Sequence, residues 1–237
     1  TMDCPEPYKS IFYGDDKKTT TTTKKKTGVN INKDDPDKWI EDLKISPESD
    51  MVAFGAHCCK NTTFGRVQIL KVTNNAKAPL VKFITINARV TSAITHVDWA
   101  SDNNRLVVNS LASELKHLSI DNTSNPIASS TCIWEPDLWH TWTCLFGYPV
   151  VGVYPGAVTD YYVNYTCMSN NKKIIATGDD DSHVKLFNCP AFLEYSNFLC
   201  YGGHSSHVPK IRFTKGDKYL ISVGGNDKSV FVWQTDW

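Results

Sequence analysis

The sequence predicts an all-β fold made of repeated antiparallel sheets, and three observations carry that prediction. Residues 201–237 hold three short apolar runs, Val208 to Phe213, Tyr219 to Val223 and Val230 to Trp233, rich in β-branched and aromatic residues. The turn compositions TKGDK and GGNDK separate them, so three antiparallel strands are the natural reading. Nowhere in the chain does a helical apolar period persist over three turns, which leaves little room for helices. A small residue in the second strand of each group recurs at Gly55, Asn109, Gly178 and Gly224, at intervals of 54, 69 and 46 residues. A propeller blade runs ~40–45 residues, and insertions account for the longer intervals. Gly203-His204 before the first run and Trp233 at the end of the last complete the cue for WD40-type β-propeller blades, about four of them. Such a blade buries its faces only against its neighbours.

Residues 1–38 are expected to lie outside the blades. Tyr8 to Tyr13 (YKSIFY) alternates enough for one strand. Asp15 to Gly28 is a polar Lys/Thr-rich run with no apolar area to offset the entropy of ordering. The first blade, about 39–90, is degenerate: WIEDLKI, MVAFGA, RVQILKV and LVKFITI are its strands, and HCCKNTTF is an insertion. The second, about 91–146, uses ITHVDW, RLVVNS and ELKHLSI, with a long loop at Asn122 to Pro136 and an outer strand predicted at His140 to Phe146. The third, about 147–201, has strands around YVNYTC, KIIATG and HVKLF, and Ser196 to Leu199 begins its outer strand. The fourth is 202–237. Trp237 arrives before a final outer strand of the fourth blade, so the chain is expected either to be part of a longer protein or to use Tyr8 to Tyr13 as the missing strand.

Twenty-five basic and 25 acidic residues cancel, so neither nucleic acid nor an anionic membrane is an implied partner. No apolar run approaches the length of a membrane span, and the N-terminal residues lack the features of a secretory signal. Of eight cysteines none forms a CxxC pair and most lie in apolar runs, so reduced, buried, cytosolic thiols are expected. His57-Cys58-Cys59 lacks a second ligand pair at zinc spacing, so no metal is assigned. No cofactor motif, phosphate loop or nucleophile elbow is present.

Several phrases carry a resemblance: ITHVDW (94–99), HTWTCLFGYPVVGVYP (140–155), IIATGDDDSHVKLF (174–187), and YGGHSSHVPKIRFT with YLISVGGNDKSVFVW toward the end. Over residues 90–234 the chain resembles the C-terminal WD-repeat propeller of the echinoderm microtubule-associated protein-like family, and over 1–89 the likeness is weak. The resemblance implies a non-enzymatic protein that binds tubulin or proteins already on microtubules. It implies a cytoplasmic, cytoskeletal location, with the axoneme of a cilium or flagellum as one setting. The family's trimerising coiled coil and hydrophobic HELP motif have no counterpart in these residues. A WD-repeat scaffold in another complex, such as a ubiquitin-ligase receptor, and a propeller hydrolase are the competing readings.

WD-repeat blades often link a Gly-His histidine, a strand-two Ser or Thr, a turn Asp and a strand-three Trp by buried hydrogen bonds. His204, Asp227 and Trp233 fit that network. Counting places Val223 at the Ser/Thr position, so Ser222 is expected to face the other way and the network to have three members. The third blade keeps Thr177 and Asp181, with Phe187 in place of Trp. The second has lost the network, with Val108, Ala112 and Leu118 at its positions. Asp179 to Asp181 reads as a solvated turn rather than a cation site, because spaced oxygen ligands are missing. Trp134, Trp139, Trp142, Tyr148 and Tyr154 are expected mostly to pack between blades. Lys17, Lys18, Lys24, Lys25 and Lys26 flank five threonines and are expected to contact the acidic surface of a tubulin partner.

Overall fold

A computed structural model describes residues 40–56, 65–127, 138–154 and 162–236. The expected strand at Tyr8 to Tyr13, the five lysines from Lys17 to Lys26, the 57–64 insertion and Trp134 lie outside the described residues.

Fourteen strands among the described residues form four antiparallel sheets in chain order. The first sheet holds β1 (Ile40–Ile45), β2 (Met51–Ala56), β3 (Arg66–Val72) and β4 (Leu80–Asn87). The second holds β5 (Ile94–Trp99), β6 (Arg105–Ser110) and β7 (Leu115–Ser119). The third holds β8 (Val163–Met168), β9 (Ile174–Asp179), β10 (Val184–Asn188) and β11 (Phe198–Tyr201). The fourth holds β12 (Lys210–Phe213), β13 (Tyr219–Val223) and β14 (Val230–Gln234). Each strand pairs with its sequence neighbour, as hairpin-linked blades require.

One device closes the first hairpin of three blades. A hydroxyl residue follows the first strand, and its oxygen accepts the backbone N–H that opens the second. Ser46 does this for Met51 (3.1 Å), Ser169 for Ile174 (3.0 Å) and Thr214 for Tyr219 (3.1 Å). Such hydroxyl-to-backbone bonds fix a tight turn locally. The turns also hold residues in the left-handed region, Ser49 (φ 59) in the first, Lys172 (φ 59) in the third, and both Gly216 (φ 77) and Asp217 (φ 57) in the fourth. Ala100 stands at the corresponding place in the second blade, where Asp102 takes over by accepting from the N–H groups of Asn104 and Arg105 at 3.0 Å.

Three apolar layers lie between successive sheets. Ala53, Val67, Ile69 and Ile86 face Ile94, Val97, Trp99, Leu106 and Leu118. Val107 faces Met168, Ile175 and Phe187 through Trp139, Trp142 and Cys144. Tyr165, Cys167, Ala176 and Val184 face Val208, Ile211 and Leu220. Each fully buried branched side chain contributes ~1.5–3 kcal/mol, so blade stacking is the main source of stability.

The small strand-two residues face the following blade. A Cβ on Gly55 would stand 2.4 Å from Ile94 Cγ2, and one on Gly178 would stand 2.7 Å from Val208 Cγ1. At Asn109 the larger side chain instead accepts the Phe146 N–H at 2.9 Å. The fourth member of this series is Val223, not Gly224. Gly178 pairs with Val184, and Val223 pairs with Val230 in the same register. The fourth blade has six residues in that turn where the third has five, and the extra one displaced the count. Gly224 serves the turn itself, since a Cβ there would meet Asp227 Oδ1 at 1.8 Å.

The outer strand predicted at His140 to Phe146 does not form, and the second sheet keeps three strands. The reason lies in where its backbone groups go. Asp98 Oδ2 accepts the N–H groups of Thr143 (2.6 Å) and Cys144 (2.9 Å), while the Trp142 carbonyl accepts the Met168 N–H (2.9 Å). The segment is therefore a buried wedge between blades two and three. Trp139 and Trp142 pack edge to face within it, 5.2 Å apart. A 3-10 segment, Tyr148–Val153, follows Gly147, whose φ of 134 disfavours a side chain and where an added Cβ would stand 2.3 Å from the Trp142 ring. Tyr148 stacks on Phe192, and Tyr154 donates to the Leu145 carbonyl at 2.8 Å.

Asp179 is likewise not a turn residue. It ends β9 with 1% exposure. Cys144 and Cys167 are buried thiols and Cys189 is half-buried, but Cys200 is exposed, because every residue of the outer strand β11 is. Among the described residues no helix is long and apolar enough to cross a membrane.

Candidate functional site

The fourth blade gathers five polar side chains. Register explains the meeting. Leu220 is paired with Trp233, and Ser222 with both Ile211 and Phe231, so Ser222 and Trp233 are diagonal neighbours on the face turned to the third blade. Trp233 Nε1–H donates to Ser222 Oγ at 2.8 Å. With that oxygen accepting, its own hydroxyl hydrogen is directed to His204 Nε2, also 2.8 Å away. The remaining ring N–H, at Nδ1, points at Asp227 Oδ2 (3.1 Å) and Ser229 Oγ (2.9 Å). Every donor in the relay finds an acceptor with a neutral imidazole. Burial works against the Asp227 carboxylate, but hydrogen bonds from Ser229, Ser205 and His204 hold its pKa down to about 2. Phe231 packs edge-on against the His204 ring at 4.6 Å.

Ser222 is thus a full member, contrary to the three-membered network expected with Val223 in its place. Aligning Gly224 with Gly178 shifted the strand by one residue, and one residue inverts the side-chain direction. The order Ser222, His204, Asp227 matches that of a hydrolytic triad. Ser222 has no exposed surface, and its hydroxyl is held between an indole N–H and an imidazole, so it offers a substrate no approach.

In the third blade Thr177 stands where Ser222 does, and Lys185 pairs with it as Phe231 does with Ser222. The Thr177 hydroxyl is buried and lies toward the Asp179 carboxyl, with no closely placed hydrogen-bond partner among the described residues. Asp181 does not reach it. Asp181 Oδ2 accepts from Lys185 Nζ at 3.3 Å, and Lys185 also pairs closely with Asp179. With no counterpart of His204 in this blade, the lysine takes the two acids, and His183 Nδ1 lies 3.4 Å from Asp181 Oδ1. Burial disfavours the Lys185 ammonium, yet Asp179 and Asp181 outweigh it and raise its pKa. Lys185 therefore offsets part of the charge of Asp179 and Asp181 from within the chain, while Asp180 is exposed as a solvated turn residue.

A second polar cluster was not anticipated. It lies where the first strands of the four sheets meet. Asp42 of β1 accepts the Val97 N–H at 3.0 Å and pairs with Lys44. Asp98 of β5, fully buried, also accepts from the hydroxyls of Thr141 (2.8 Å) and Thr143 (3.0 Å). His96 and Tyr165 face each other at 5.4 Å, and burial pushes the His96 imidazole down to about 4. Lys210 and Arg212 of β12 approach the Tyr165 ring at 4.2 and 5.8 Å. The available signal was charge inside first-strand apolar runs: Asp42 and Lys44, Asp98, Lys210 and Arg212.

Comparison with known proteins places these features. The family model "Echinoderm microtubule-associated protein second beta-propeller" matches residues 9–235. Human echinoderm microtubule-associated protein-like 1 is 31% identical over 196 residues, covering 81% of this chain and 22% of that protein. Human echinoderm microtubule-associated protein-like 4 is 37% identical over 143 residues, covering 60% of this chain and 14% of that protein. The human protein 3 of the same series is 35% identical over 143 residues, covering 60% and 16%. The chain thus spans a quarter or less of each of these relatives. Among solved structures, the Cps50 (Swd1) beta-propeller domain from Myceliophteria thermophila superposes with a TM-score of 0.55 at 8% identity, covering 82% of this chain and 66% of that one. That likeness speaks to fold alone.

Proposed function

The chain belongs to the echinoderm microtubule-associated protein family, and from that premise we propose that it is a non-enzymatic interaction platform that associates with tubulin or with proteins already on microtubules. The family match over residues 9–235 is the observation that carries this reading. The sealed Ser222 hydroxyl supports a structural role for His204, Asp227 and Trp233 over a catalytic one. The rigid blades supply surface, and the protein works by presenting it. The Lys/Thr-rich run belongs to this reading as a second contact, with Lys17, Lys18, Lys24, Lys25 and Lys26 meeting an acidic filament surface. A cytoskeletal location follows from it.

Co-sedimentation tests the proposal. The full chain should pellet with taxol-stabilised microtubules in a saturable, salt-sensitive manner and stay in the supernatant without them. A chain that stays soluble at all microtubule concentrations, while binding an unrelated complex, would instead be a WD-repeat scaffold of another kind.

A further inference from the structure

The fourth sheet ends on an open strand. Across the β13–β14 hairpin the Gly224 N–H donates to the Ser229 carbonyl at 2.9 Å and the Thr235 N–H to the Lys218 carbonyl at 3.1 Å. Bonded pairs alternate in an antiparallel ladder, so Phe231 and Trp233 bond inward to β13, while Val230, Val232 and Gln234 turn their backbone N–H and C=O groups outward. No described strand meets that edge. β14 also carries none of the devices that blunt an exposed edge: it holds no proline or lysine, and its register with β13 runs without a bulge. Val230 is 64% and Val232 62% exposed.

The other sheets indicate what belongs there. The first and third each add a fourth strand, β4 and β11, and in the second His117 of β7 bridges to Ile127. In the third sheet the strand in that place is FLCY, four residues with apolar or aromatic side chains on both faces. Ahead of β1 the sequence holds a run of the same kind, SIFY within residues 8–13, in which Phe12 would lie on one face of a strand and Ile11 and Tyr13 on the other. The chain can bring it to β14. β1 opens at Ile40, and its Glu41 and Asp42 act electrostatically on Lys210 of β12, so the described chain starts beside the fourth blade. Residues 14–39 reach ~80 Å when extended, far more than the ~10 Å from β12 to β14.

We propose that residues 8–13 (YKSIFY) pair with the outer edge of β14 as the fourth strand of the fourth sheet. Docking turns residues 14–39 into a closed loop, which presents the lysines from Lys17 to Lys26 beside the fourth blade. The assignment rests on the open edge and not on the filament reading.

The test is amide hydrogen exchange on the full chain, resolved residue by residue with NMR. The amides of Val230, Val232 and Gln234 should exchange slowly. Ile11→Pro/Phe12→Pro removes an N–H in either phase of the strand alternation, and it should speed those three amides at least ~tenfold while Phe231 and Trp233 stay protected. Thr21→Pro, in the connecting run, should change nothing. Unprotected exchange at Val230, Val232 and Gln234 in the full chain, or protection that survives Ile11→Pro/Phe12→Pro, would overturn the assignment. So would protection that disappears on dilution, since a second copy would then cover the edge. Release of the Phe198 to Tyr201 amides in place of those of β14 would overturn it as well, by moving the segment to β11.

Discussion

Replacing Ser222 with alanine isolates the polar relay of the fourth blade. The change removes one oxygen and hardly any volume, so no cavity term enters. It strands two groups, each of which had Ser222 Oγ at 2.8 Å: the Trp233 indole N–H and His204 Nε2. The His204 side chain is fully buried, so its nitrogen bears the whole penalty of an unsatisfied polar atom. Trp233 is half-buried, and its N–H regains part of its bond from water. With ~1–3 kcal/mol for a stranded buried group and less for the partly wet one, the variant should lose ~2–3 kcal/mol. That is a large part of the ~5–15 kcal/mol that a domain has. Urea unfolding of the full chain, followed by tryptophan fluorescence, should show a lower midpoint at unchanged slope. Combining Ser222→Ala with Trp233→Phe should cost less than the two changes added, because the second removes a donor the first has orphaned. Val223→Ser, on the opposite face, should cost under ~0.5 kcal/mol. A loss under ~0.5 kcal/mol for Ser222→Ala, or strict additivity of the pair, would refute the relay.

Three further outcomes are expected. His96 and His117 are both held near pKa 4 by burial, against 6.5 when free, so between those values the unfolded chain binds more protons than the folded one. Stability should therefore be full above pH 6.5 and fall as the pH drops toward 4, and a His96→Gln/His117→Gln variant should show a flatter urea-midpoint profile over that window. Lys185→Met should destabilise the third blade by ~3–5 kcal/mol, since it leaves the buried Asp179 without its cation, and Lys185→Met/Asp179→Leu should recover most of the loss by thermal unfolding. Replacing Lys17, Lys18, Lys24, Lys25 and Lys26 with glutamine should weaken microtubule co-pelleting more at low salt than at high salt; unchanged pelleting at low salt removes the run from the contact.

The blades were legible because their cue is local. Apolar runs such as RLVVNS and YLISV, cut by turn residues, became β6 and β13 within a residue of their read limits. The wedge at 140–146 was not legible as such. HTWTCLF has strand composition, but Asp98, 45 residues before Thr143, captures the N–H groups of Thr143 and Cys144, and no local pattern records that. The His204 relay was half legible. His204, Asp227 and Trp233 lie in recognisable places, whereas Ser222 was misplaced because the turn after it is one residue longer than in the third blade. A glycine that looked like a repeat marker was there to let Asp227 approach. The meeting of Asp42, Asp98, Tyr165, Lys210 and Arg212 depends on four strands spread over the chain, and no local pattern records it.

The central claim is that this chain acts on the microtubule surface, and an image of microtubules decorated with the full chain by electron cryomicroscopy tests it most directly. The account predicts regular extra density on the lattice into which the four stacked sheets fit, with occupancy that falls as salt rises. Bare microtubules at saturating protein concentration, or density that vanishes when other microtubule-bound proteins are removed and does not return when they are restored, would contradict it.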